Sequence, residues 1–524
     1  MLEMKKGLDA LIRKVHAFSR DIGMEFGLEK CAKSVIKKGK KVPGQNLEIE
    51  DGKFVEDLEH DKTYKYLGIE ENHTLEHKQL RKKATQEYIR RLKKICRSEL
   101  SSKHKIAAIN QMALPVLTYG FGIIDWLQIE IDNLDIKTRK ILTMHNVLYR
   151  HQCMDRVYLP RREGGVGLIE INDALRSTII NLAQYVETTK DALLELVKKH
   201  HKNHLSEHKS ITKLATIFRK ENNINIVEPD ENIVGQEAND NQDPAPMPQP
   251  KNVYTESERV KKRENWKNNK RAGLFYKEIE KPYIDKKGSF TWLQNGILTY
   301  NEERLIIAAQ DQGIMTNGLK KVCKLTNSDK CRFCHTEVES PSHLMSGCKI
   351  LMADGHYTKR HNKVCKYLHW TILNDNSIPT KEVWLHEPEP VTANEDVTIY
   401  YDKIIPTGRF IESGAVKPDI VVWNKKEKSA LIIDVSVPND FGINRAEREK
   451  VTKYQDLKNA LRESWNLSSI EVIPVIVGAT GVMKDSLQGY LDTIPGKPKR
   501  HEVHTAAIRG TVSILKRALG SNFK

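Results

Sequence analysis

Residues 417–440, KPDIVVWNKKEKSALIIDVSVPND, decide how the C-terminal part of this chain is read. Two short β-branched runs, DIVVW and ALIIDVSV, flank the polar NKKEKS, a pattern that predicts a β-hairpin. Asp419 precedes the first apolar run and Asp434 interrupts the second, so antiparallel pairing brings both carboxylates to one end of the sheet. In an ordinary hairpin any polar residue would serve at either position. Two converging carboxylates, however, repel unless a hard cation sits between them, and Mg²⁺ takes such a pair together with water and phosphate oxygens. That arrangement predicts phosphodiester hydrolysis, in which a metal activates water and neutralises charge on the scissile phosphate.

The helix predicted next, NRAEREKVTKYQDLKNALRESW, carries Lys450 and Tyr454 four residues apart and therefore on one face. A lysine there can orient the attacking water or offset the charge that builds on phosphorus, with Lys453, one position round, as the fallback. IEVIPVIVG beyond it is almost continuously apolar, as a buried strand is. The segment from about 385 to 524 is thus expected to be α/β.

Upstream, CRFCHTEVESPSHLMSGC spaces Cys331, Cys334, His343 and Cys348 as C-x2-C-x8-H-x4-C. Three thiolates and one imidazole complete a tetrahedral shell, which points to structural Zn²⁺ rather than a catalytic metal. The alternative is a set of buried free thiols, and Cys323, His335, His356 and His361 are substitutes for the fourth ligand. Binding should contribute much of the folding free energy of so small a module.

Residues 221–250 contain no Lys or Arg and end in DPAPMPQP, so a disordered linker is expected there. RVKKRENWKNNKR at 259–271 reverses the composition. Lys261, Lys262, Arg263 and Lys267 can contact phosphate with Trp266 available for stacking, or the stretch is simply a solvated helix face. Before the linker, YLPRREGGVGL at 158–168 reads as a tight, exposed turn flanked by Arg161 and Arg162. From Thr74 to about Trp126 the pattern is helical and basic, interrupted at Pro115, and helices follow to about 220. At the N-terminus, Leu8, Leu11, Ile12, Val15 and Phe18 have helical spacing; KCAKSVI and YKYLGI read as strands and NLEIEDGKFVEDL as a hairpin turning at Asp51-Gly52.

A net charge of +16 over 524 residues favours a polyanionic partner, nucleic acid first. A chain of this length implies roughly two to four domains. No apolar run approaches the roughly 20 residues of a membrane span, and the start lacks the form of a signal peptide. A soluble, intracellular protein without a disulfide framework or a membrane partner is expected.

Several of these stretches together resemble one family, the polyproteins of site-specific non-LTR retrotransposons whose C-terminal endonuclease is restriction-like. IGMEFGLEKCAKS and YKYLGI resemble the end of its reverse transcriptase palm, LPVLTYGFGIIDW and YLPRREGGVGL its thumb, and AAQDQGIMT the segment before its zinc knuckle. The CRFC, His and Cys cluster followed by KRHNKV resembles the knuckle, and KPDIVV, IIDVSVP and EKVTKYQDL resemble the endonuclease, of the PD-(D/E)xK fold. The resemblance implies a multidomain α+β and α/β chain: palm remnant 1–72, helical thumb and connector 73–220, acidic linker 221–255, basic helical region 256–325, CCHC knuckle 326–370 and restriction-like endonuclease 385–524. It assigns Asp419 and Asp434 to Mg²⁺ or Mn²⁺, Lys450 and Tyr454 to catalysis, and Cys331, Cys334, His343 and Cys348 to Zn²⁺. Arg161, Arg162, Lys261, Lys262, Arg263, Lys267, Arg360 and His361 become expected nucleic-acid contacts.

The implied activity is metal-dependent nicking of target DNA for target-primed reverse transcription, with element RNA as second partner and the nucleus as the place of action. There are two departures. Where the usual nuclease pattern has lysine two residues after the second acid, this chain has Ser436, so the role passes to Lys450. No Ala-Asp-Asp occurs, so this chain alone is not expected to synthesise DNA. The alternatives are a non-catalytic nucleic-acid-binding remnant or domesticated protein with a decayed nuclease, and a helical scaffold that binds another protein.

Overall fold

In the computed structural model, the structure describes residues 2–222 and 253–520, apart from 26, 29–30, 39, 51, 59–62, 72–74, 207–208, 408–413 and 415. The fold mixes helices with several small sheets and divides into two compact units, one formed by 1–91, 113–134 and 178–218, the other by 92–112, 135–177 and 219–524. The linker expected at 221–255 falls mostly on residues outside the described ones; ordered helix resumes at Val253.

In the first unit the helix Leu2–Asp21 leads to the antiparallel pair Leu47–Glu50 and Lys53–Asp57, which turns through Gly52 at φ 77°. Two further antiparallel pairs join Val35–Lys37 to Lys40–Val42 and Tyr64–Tyr66 to Ile69–Glu71. Leu47, Ile49 and Val55 form a small core against Ile12. With Ala32–Lys33 pairing parallel to Lys53–Asp57, the sheet has three short strands, too few to cover a helix of 20 residues, and Leu11 and Phe18, in the apolar stripe, are about 60% exposed.

The second unit is held by contacts between residues far apart in sequence. Arg156, fully buried, donates to Gly164 O and pairs with Asp311 at 2.7 Å, beneath the Trp266 ring. The turn at Arg161–Gly164 is exposed only in part: Arg162 faces solvent, whereas Gly164 and Gly165 are buried. A Cβ on Gly164 would lie 2.4 Å from Phe290, and one on Gly165 would lie 2.0 Å from Leu159 O, so close packing explains both glycines. The helical run is interrupted around Pro115 as expected: Ser102–Ala108 gives way to a π-turn over Ile109–Ala113, and a separate short helix, Pro115–Thr118, starts with the proline in its first turn.

The predicted hairpin belongs to a five-stranded sheet of β1 (Val391–Ala393), β2 (Val397–Tyr401), β3 (Ile420–Asn424), β4 (Ser429–Ser436) and β5 (Ser469–Ile476). The strand order is β5-β4-β3-β2-β1, antiparallel except for the β4 and β5 pair, which is parallel. A parallel pair needs a long crossover. The helices α2 (Ile443–Lys453) and α3 (Gln455–Ser464) provide it. With α1 (His356–Asp375) preceding the sheet and α4 (Ser486–Thr493) and α5 (Arg500–Leu519) following it, both faces are covered. Alternation decides which residue faces which layer. Ile420 and Val422 pack with Val364, Leu368, Leu491 and Val503, while Val421 and Ile432 pack with Leu457 and Leu461.

Candidate active site and metal centre

The β3 and β4 register pairs Ile420 with Ile433, and one step further sets Asp419 opposite Asp434 at the same end of the sheet. Asp419 closes the ladder with its side chain, since Val435 N–H donates to Oδ2 at 2.6 Å. Asp434 is 2% exposed. Burying a carboxylate is tolerated only with partners. Tyr454 Oη donates to Oδ1 at 2.5 Å and Lys450 Nζ lies 2.5 Å from Oδ2.

Lys450 and Tyr454 thus lie on one side, as their spacing predicts, and both reach Asp434, but not from one continuous helix. The helix breaks at Tyr454, where φ is −101° and ψ 12°, and the ring is fully buried beside Ile432 and Leu457. Lys453, the fallback, donates to Tyr454 Oη at 3.0 Å and sits over its ring. Burial and the neighbouring Asp434 charge push the Tyr454 phenol well above its ordinary value, so it stays a donor.

His361 was expected on nucleic acid, yet it belongs to this centre. Its Nε2 is 3.0 Å from Asp419 Oδ2, and the Cys365 thiol lies 3.6 Å from Nδ1. Burial opposes a charged imidazole here, but the hydrogen bonds to Asp419 and Cys365 outweigh it and raise the pKa to about 11. The one signal available in the sequence was the His361 and Cys365 spacing of one helical turn. A cleft of about 610 Å³ opens along His361, Ser436, Arg445 and Lys450. His361 from α1 and Arg445 and Lys450 from α2 give the lining a basic excess over Glu449, which suits an anionic chain.

The second cluster is Cys331, Cys334, His343 and Cys348, whose donor atoms all lie within 4.8 Å of one another. Cys331 Sγ and Cys348 Sγ are 3.9 Å apart, and Cys334 Sγ is 3.4 Å from His343 Nε2. Ser340 caps the short helix Pro341–Ser346 and so sets the direction of His343. Burial pushes the Cys331 thiol up to about 11, whereas at Cys334 hydrogen bonds led by the Thr336 hydroxyl overcome burial and lower the pKa to about 5. Donor set and spacing fit a closed tetrahedral metal such as Zn²⁺. The substitutes Cys323, His335, His356 and His361 lie outside this group.

The remaining expected nucleic-acid contacts divide by burial. Arg161 makes a bidentate pair with Glu303 and is 13% exposed; Lys262, 8% exposed, sits between Glu170 at 2.9 Å and Asp173 at 2.5 Å. Arg360 is interior too, donating to Met345 O, Val437 O and Thr511 Oγ1. Trp266 is fully buried against Tyr276 and is not available for stacking. These four readings are corrected by the same physics. Their counter-charges and packing partners come from distant segments that no local pattern displays. Arg162 and Lys267 remain open to solvent, and Lys261 and Arg263 are partly exposed while paired with Glu258 and Glu256. No family model and no curated protein matches this chain.

Proposed function

We propose that this chain is a metal-dependent DNA endonuclease, similar to the C-terminal part of the non-LTR retrotransposon polyproteins of the restriction-like-endonuclease clade. The observation that carries the reading is the convergence on Asp434 of Lys450 and Tyr454, with Asp419 across the ladder. The mixed sheet with a helical crossover between its parallel strands agrees with a PD-(D/E)xK-type domain. Asp419 and Asp434 would hold Mg²⁺ or Mn²⁺, which supplies Lewis-acid assistance at the scissile phosphate. Tyr454 holds the Asp434 carboxylate in place and His361 holds that of Asp419. Lys450, at the cleft wall, offers positive charge where negative charge develops on the phosphate. The Cys3His module would carry structural Zn²⁺, and the surface basic groups would track target DNA and element RNA in the nucleus.

The test is conversion of supercoiled plasmid to open circle by purified protein with Mg²⁺ or Mn²⁺. Asp434→Ala or Asp419→Ala should abolish nicking while plasmid is still retained in a gel shift. Equal loss of binding and cleavage would count against a metal-ligand role. Retention without nicking by the unmodified protein would favour the non-catalytic binding remnant.

A further inference from the structure

We propose that His361, Cys365 and Asp419 form a second metal site, of mixed N, S and O donors, which takes a borderline-soft ion such as Zn²⁺ and thereby withdraws Asp419 from the Mg²⁺ centre. The withdrawal rests on the nuclease reading above; the site itself does not.

His361 and Cys365 are one helical turn apart on α1, and their donor atoms lie within 4.8 Å of each other and of an Asp419 oxygen. Asp419 arrives there from the start of β3. Cys365 Sγ is 3.7 Å from His361 Nε2, and that nitrogen is 3.0 Å from Asp419 Oδ2. With metal-donor bonds of about 2.0–2.3 Å, the edges of a tetrahedral shell are about 3.3–3.8 Å. The sulfur-nitrogen edge already fits. The nitrogen-oxygen edge, now a hydrogen bond, has to open by a few tenths of an ångström. The Cys3His cluster has edges of 3.4 and 3.9 Å, so the two groups are preorganised to a similar degree.

Donor chemistry separates this site from the Mg²⁺ centre. A thiolate and an imidazole select zinc or cobalt over magnesium, which prefers oxygen alone. Openness separates it from the Cys3His cluster. Three protein donors leave a fourth position, and His361 borders the cleft, so exchange with solvent is possible where the closed cluster excludes it. The Cys365 thiol is buried, and binding has to release two protons, one from that thiol and one from the His361 imidazolium that now pairs with Asp419. With one thiolate among three donors, against three among four, its affinity is lower than that of the Cys3His cluster.

Asp419 cannot serve both ions equally well. Its Oδ2 already receives Val435 N–H, and a zinc ion on the His361 side draws the carboxylate away from Asp434. The nuclease would then be inhibited by zinc in competition with magnesium.

The decisive experiment is a Co²⁺ titration of the full chain with its Cys3His cluster already filled by zinc. A thiolate-to-cobalt absorption band should saturate at one cobalt per chain and be absent from Cys365→Ser and from His361→Gln. Retention of the Cys3His zinc and an unchanged thermal transition report that both variants fold. An equal band in Cys365→Ser, or none in the unmodified protein, overturns the site. In parallel, Zn²⁺ should suppress Mg²⁺-dependent plasmid nicking at least tenfold in the unmodified protein, an inhibition relieved by raising Mg²⁺. In Cys365→Ser it should suppress nicking much less, each protein being compared with its own zinc-free rate. Zinc-insensitive nicking with the cobalt band intact overturns the link through Asp419. A band in a protein that never nicks leaves the metal site standing and removes the nuclease reading.

Discussion

Asp434 is the residue on which the centre turns, and its two oxygens are answered by two different side chains. A buried carboxylate that loses one donor bears a desolvation cost of about 1–3 kcal/mol. Tyr454→Phe removes only the hydroxyl and keeps the ring in its apolar setting, so it should lower stability by about that amount. The same substitution made in an Asp434→Asn background should cost much less, because the charge requiring the donor is gone. A double-mutant cycle in urea measures the difference, and a coupling near zero would show that the hydrogen bond contributes nothing. That Lys450 and Tyr454 share a side was legible in the sequence from their four-residue spacing, whereas the helix break at Tyr454 and the common partner Asp434 were not. Nor was the His361 contact, since 58 positions separate it from Asp419 and nothing local marks the pairing.

At the scale of an element, the Val253–Asn268 helix shows where a composition reading goes astray. Its helical period and its basic character are both plain in RVKKRENWKNN, and both persist in the fold. What the sequence does not display is which face turns inward. Lys262 meets Asp173 from 89 positions away, and Trp266 drops into the interior one turn later. Burial lowers the Lys262 pKa, but the charges of Asp173 and Glu170 more than reverse this and raise it to about 12. Removing one partner of such a pair leaves the other charge uncompensated. Lys262→Ala should therefore destabilise the protein by about 3–5 kcal/mol, read as a fall in the urea midpoint. Lys267→Ala, on the solvent side, should stay within about 0.5 kcal/mol of the unmodified protein. If Lys262→Ala were as stable as Lys267→Ala and only weakened DNA retention, the lysine would be a phosphate contact after all.

For the molecule as a whole, acid stability is set in part by neutral histidines sealed inside the second unit. His504, 1% exposed on α5, has Nε2 2.8 Å from Gly481 O, donating its proton to that carbonyl. Burial lowers its pKa from 6.5 to about 4, with the Arg500 charge adding to the effect and the Gly481 bond opposing it. A histidine depressed in this way releases its proton on folding. Its contribution to stability is complete above pH 6.5 and is lost as the pH falls through about 4. His369, stacked on His386 with Nδ1 2.9 Å from its Nε2, is lowered to about 4 by burial and then by that neighbour, so it acts in the same direction. At pH about 4.5 the His504 share of the loss is about 2 kcal/mol relative to neutral pH. His504→Gln keeps a donor near Gly481 O but has nothing to protonate. The fall in unfolding free energy from neutral pH to pH about 4.5 should therefore be smaller in this variant by about 2 kcal/mol. Loss of zinc from the Cys3His cluster in acid would affect both proteins alike and cancels in the comparison. An identical fall in both would mean that His504 titrates normally, and that the space beneath Gly481 admits water.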